Sequence, residues 1–139
     1  MEPKLSVHDN DVYGYTVDCR QRRLTLYTEY FDGNKHELTD VIFAGVVAHH
    51  FENVLSGNVL FDVEEVATKV LISENAELLL ESWRYGWPPV EYDGNLDLLE
   101  AALQAASIRA FAIRSSHGLS GWVLAASCVR TPRAKKAQL

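Results

Sequence analysis

Three strand-like stretches, joined by turns too short to cross over a sheet, constrain this chain more than any other feature. Tyr13, Tyr15, Val17 and Cys19 share one face of a strand pattern, with Gly14, Thr16 and Asp18 on the other. After the polar turn Arg20-Gln21-Arg22-Arg23, residues 24–31 are rich in Leu, Thr, Tyr and Phe. Asp32-Gly33-Asn34 then supplies hairpin-turn chemistry before a third strand over residues 38–44. Parallel neighbours need a crossover of about a dozen residues or more, so turns this short force an antiparallel meander.

The pattern changes after Gly45. Val47, Phe51, Val54 and Leu55 recur at helical spacing until Ser56-Gly57-Asn58, which predicts a short helix or an irregular loop. Residues 59–66 alternate again and read as a fourth strand of the same sheet. Ser73 fits the N-cap of a helix over 74–85, with Ile72, Ala76, Leu79, Leu80 and Trp83 on its buried face and Glu74, Glu77, Glu81 and Arg84 opposite. Gly86 and Pro88-Pro89 end it. A second helix over 96–106, opened by Asn95, buries Leu96, Leu99, Leu103 and Ala106. Its alanines make it thin enough to lie close on a sheet.

Two more strands, 108–114 and 122–129, flank a loop from Ser115 to Gly121. The expected fold is therefore α+β, a mainly antiparallel sheet of about six strands with two helices packed on one face.

Composition bounds the rest. The chain has 139 residues, 47% of them hydrophobic, which suits one domain with its own core. The longest nearly continuous apolar run, residues 41–48, is far below the roughly 20 residues that cross a bilayer. The first nine residues lack the apolar centre of a secretory signal, so a cytoplasmic setting is expected, with Cys19 and Cys128 as free, buried thiols. Residues 1–129 hold nine basic and nineteen acidic side chains, a net charge of −10. A body so acidic repels phosphate backbones, which argues against nucleic acid as a partner. Arg130, Arg133, Lys135 and Lys136 crowd the end, so the organisation expected is one domain over 1–129 and a flexible basic tail over 130–139.

No motif for catalysis, metal or cofactor emerges. His49 and His50 are adjacent, so their rings point apart on either a strand or a helix, and His49 with Glu52 supplies too few ligands for a metal. Cys19 continues an apolar strand face, which favours a structural thiol over a nucleophile. His117 lies among Ser115, Ser116 and Ser120 with no acidic neighbour to complete a triad. Gly118-Leu119-Ser120-Gly121 is too short for a phosphate loop. Glu64-Glu65 sits on a strand, where neighbours face opposite ways, unlike a glycosidase dyad.

What remains is Trp83-Arg84-Tyr85-Gly86-Trp87-Pro88-Pro89-Val90-Glu91-Tyr92, which gathers four of the fourteen aromatic residues around two consecutive prolines. Trp, Tyr and Arg dominate binding hot spots because each joins a large contact area to a polar handle. Trp83 completes the helical stripe and belongs to the core on this reading. Arg84, Tyr85, Trp87 and Tyr92 are the candidate contact residues. The sequence thus reads as a non-enzymatic protein-interaction domain whose partner is another protein or a second copy of the chain, without membrane or cofactor. The alternative is a small-ligand binder or minor enzyme with a pocket between sheet and helices, lined by His49, His50 and His117.

Overall fold

A computed structural model describes residues 5–134. The fold is α+β, with a large antiparallel sheet and several helices packed on it. The strands are β1 (Asp11–Asp18), β2 (Arg23–Phe31), β3 (His36–Ala44), β4 (Ala48–Glu52), β5 (Val59–Val66), β6 (Arg109–His117), β7 (Ser120–Ala125) and β8 (Ser127–Arg133). Between β5 and β6 lie α1 (Thr68–Glu74), α2 (Ala76–Ser82), a 3-10 turn (Trp83–Tyr85) and α3 (Leu96–Ala105).

The meander β1-β2-β3 forms as the short turns require. Two departures raise the strand number from about six to eight. Residues 48–52 are a strand, not a helix or loop, because Ala48 to Glu52 pair with Leu124 to Ser120 of β7. The expected last strand, 122–129, divides at Ala126 into β7 and β8. The segment read as a tail also begins too early: β8 continues to Arg133 along β3. Within it, Arg130 reaches the carbonyls of Leu5 and Val63 and the Asp62 carboxylate, and Arg133 pairs with Asp40 at 2.9 Å. Lys135 and Lys136 lie outside the described residues.

The sheet runs β4-β7-β6-β5-β1-β2-β3-β8. In a flat sheet of that order β3 and β4 would stand about 29 Å apart, as would β7 and β8. The links from Ala44 to Ala48 and from Ala125 to Ser127 reach only about 14 Å and 7 Å. The sheet must therefore curl until its two ends meet. At the corner, Ala126 N–H donates to the Ala44 carbonyl at 2.9 Å and Val47 N–H to the Leu124 carbonyl at 2.8 Å. Gly45 turns there with φ of 64°, where a Cβ would come within 2.8 Å of the Ala126 Cβ.

Curling makes two cores. Inside lie Val12, Leu24, Leu26, Val41, Phe43, Leu60, Val63, Phe111, Ile113 and Val123. On the outer face of β4-β7-β6, Ala48, Ala110, Trp122 and Leu124 pack against Leu71, Ile72, Leu79, Leu99 and Leu103 of the helices. Trp122, Val123, Leu124 and Ala125 alternate between the two cores, as period-two geometry demands. Buried Asn58 locks the 53–60 connection: its side chain accepts from the N–H groups of Leu55 and Leu119 and donates to the carbonyls of Val12 and Leu55.

The helical layer differs from the stripe reading. Ser73 lies within α1, which the periodicity did not separate from α2. The break falls at Asn75, whose side-chain amide donates to the Leu71 carbonyl at 2.8 Å and whose backbone leaves the helical region. The Asn95 side chain caps α3 as expected, accepting from Asp97 and Leu98 N–H groups. Leu99 and Leu103 are buried there, whereas Ala106 is exposed.

Candidate functional site

α2 ends in the 3-10 turn, and Gly86 reverses the chain with φ of 76°. Residues 87–95 then return along the helix they have left. Tyr92 is the pin: it is 1% exposed and its hydroxyl donates to the Leu79 carbonyl at 2.8 Å. Burial pushes its pKa up. Trp83 leans its ring on Gly94, where φ is 66° and an added Cβ would press on the indole at 3.3 Å, and the ring stands 6.4 Å from that of Tyr92.

The burial order within the segment thus reverses part of the sequence reading. Tyr92, expected outside the core, is inside it, and Trp83, expected inside, is 38% exposed. A 3-10 turn advances about 120° per residue against 100° in an α-helix, so the stripe ending at Leu79 does not carry through to Trp83. Trp87 is half-buried against the second core, its ring 5.6 Å from Trp122. Arg84 and Tyr85 project, Tyr85 being 87% exposed.

Leu80, 42% exposed, extends the apolar surface back along α2. Around it, Glu77, Glu81, Arg84 and Tyr85 line an open cleft of about 600 Å³. On the other side of the turn, Trp83, Arg84, Pro88, Pro89, Glu91 and Asp93 line another of about 800 Å³. Arg84 borders both and makes no ion pair among the described residues. The result is a ridge of Leu80, Trp83 and Tyr85 with one free cation and flanking carboxylates.

The three candidate histidines do not come together. His49 pairs in register with Val123 and so faces the interior, where its ring lies 5.0 Å from Phe51; burial, and secondarily His50, lower its pKa. His50 pairs with Trp122 and faces the helical layer. His117 is exposed at the end of β6. Because residues 48–52 form a strand, the carboxylate on the face of His50 is Glu52, two positions on, and their side chains meet at 2.9 Å. This pair sits on a cleft of about 410 Å³ between α1 and the sheet, with Glu74, Arg114 and Trp122 also at its wall.

Glu64 and Glu65 take opposite faces and pair with Arg114 at 2.5 Å and Arg109 at 2.7 Å. Cys19 is exposed in the turn after β1, not buried on a strand, because β1 ends at Asp18; Cys128 is half-buried, and among the described residues neither forms a disulfide. Among the described residues no three His, Cys, Asp or Glu side chains are placed to hold a metal ion, and no helix is long and apolar enough to cross a membrane. No family model, curated protein or solved structure matches the chain.

Proposed function

We propose that this chain is a protein-interaction domain that docks its partner on the ridge formed by α2, the 3-10 turn and the loop behind it. The observation that carries the reading is the exposure of Tyr85, at 87%, beside half-exposed Trp83 and Leu80 on a framework pinned by Tyr92. Large aromatic side chains on a rigid support lose little conformational entropy on binding, and Arg84 beside them offers a directed charge. Trp87 acts as a support for this ridge, seated on Trp122, and Tyr92 as its internal anchor.

The partner is another protein or a second copy of the chain in the cytoplasm. The net charge of −10 over residues 1–129 disfavours nucleic acid. The test is capture of partners from the cell of origin with the wild-type chain and with Tyr85→Ala, together with sedimentation of each over a range of concentration. A partner or self-association lost with Tyr85→Ala, with the fold intact, supports the reading. Identical capture and sedimentation by both overturns it.

A second reading, a small-ligand binder or minor enzyme, draws on the hydrogen-bonded His50 and Glu52 at the cleft beneath α1. A carboxylate holding one imidazole nitrogen fixes the tautomer and leaves the other available for proton transfer. Loss of a ligand-induced shift in His50→Gln distinguishes this reading from the first, which leaves His50 without a role.

A further inference from the structure

A groove that shares Pro89 and Val90 with the cleft beside Trp83 differs from the other three in charge. It lies between α3 and the corner where β3 passes into β4, has a volume of about 600 Å³, and is walled by Val46, Val47, Val90, Ala102, Leu103 and Ile108. The three clefts described above each carry two carboxylates: Glu91 and Asp93, Glu52 and Glu74, and Glu77 and Glu81. This groove has none, and Arg22 is the charged residue on its wall. Its volume falls within the range of small-molecule sites, which are mostly apolar with a few placed polar groups.

Arg22 is held there by the fold. Its carbonyl accepts the Val46 N–H at 2.8 Å, tying the β1-β2 turn to the corner that forms the groove floor, and its own φ is 52°. The turn is stabilised by Asp18, whose carboxylate accepts the Gln21 N–H at 3.0 Å. Arg20, Arg22 and Arg23 are exposed and make no ion pair among the described residues. In contrast, Arg109, Arg114, Arg130 and Arg133 are all paired with carboxylates. On a body of charge −10, one of these uncommitted cations, Arg22, thus stands on the wall of the apolar groove that lacks acids.

From this juxtaposition we infer that the groove binds a free aliphatic carboxylate, its chain lying along Val47, Ala102 and Ile108 and its head group on Arg22. None of the ridge residues Leu80, Trp83 and Tyr85 lines this groove. Cys19, exposed at the same mouth, is a built-in reporter of occupancy.

Hexanoate, octanoate and decanoate, each below its micellar range, are titrated into the full chain while methyl resonances are followed. Shifts centre on Val46, Val47, Ala102 and Ile108, and affinity rises roughly tenfold for each two methylenes added. Decanoate slows alkylation of Cys19, resolved by peptide mass, without slowing that of Cys128. Arg22→Gln, at an exposed position, weakens decanoate about tenfold, as loss of a charged hydrogen-bond partner does. Ala102→Leu, which fills the groove, abolishes binding. Absence of shifts at the groove, equal affinity for decyltrimethylammonium, or undiminished affinity in Arg22→Gln overturns the assignment.

Discussion

The Leu79 carbonyl accepts two hydrogen bonds, one from the Trp83 N–H that closes α2 and one, at 2.8 Å, from the buried Tyr92 hydroxyl. The end of the helix and the returning loop are thereby fixed to the same atom. Tyr92→Phe removes one bond and keeps the ring, so a loss of about 1 kcal/mol in denaturant stability is expected. Tyr92→Ala also empties a core site, at about 3–5 kcal/mol. Tyr85→Ala, at a surface position, changes stability by less than about 0.5 kcal/mol. Equal destabilisation by Tyr85→Ala and Tyr92→Ala would contradict this division between anchor and ridge.

Asn58 is expected to be among the most sensitive polar positions. Asn58→Ala strands the N–H of Leu119 and the carbonyl of Val12, both otherwise satisfied by its side chain. Each orphaned buried group costs about 1–3 kcal/mol, so a total of at least about 2 kcal/mol is expected in equilibrium unfolding. Amide exchange at Leu55 and Leu119 should quicken in the same variant.

At the corner, Gly45→Ala combines a left-handed φ with a Cβ placed 2.8 Å from that of Ala126. A loss of about 1–3 kcal/mol in stability is expected. Gly57, with nothing within 4 Å of a built Cβ, is the control, and Gly57→Ala should be near neutral. A near-neutral Gly45→Ala would mean that the corner is looser than described.

His49 sets a pH dependence. Its folded pKa lies below the ordinary 6.5, because burial disfavours the imidazolium. The unfolded chain therefore takes up the proton first, and this contribution to stability, complete above 6.5, declines as pH falls below that value. His49→Gln should flatten the profile of unfolding free energy between neutral pH and mild acid. An unchanged slope would remove His49 as the cause.

The strands β1, β2, β3 and β5 and the helix α3 were legible because their signals are local. Alternation, turn residues and an Asn cap act within a few positions. The histidine geometry was legible for the same reason: adjacent side chains on a strand diverge, and His49 and His50 face opposite sides of the sheet. Residues 48–52 were not legible, since Val47 and Phe51 fit a helical spacing as well as a strand. Pairing with β7, 68 to 76 positions away, decides between them.

By itself the sequence determined the antiparallel α+β character, the acidic charge and the concentration of aromatic residues between Trp83 and Tyr92. Only the tertiary structure decided which of those aromatics is core and which is surface. A helical stripe predicts burial only while the helix keeps its period, and the break at Asn75 and the 3-10 turn after Ser82 reset it. The curling of the sheet was likewise a tertiary decision. It follows from which strands are neighbours, and neither the groove beside Arg22 nor the pairing of His50 with Glu52 exists until distant segments meet.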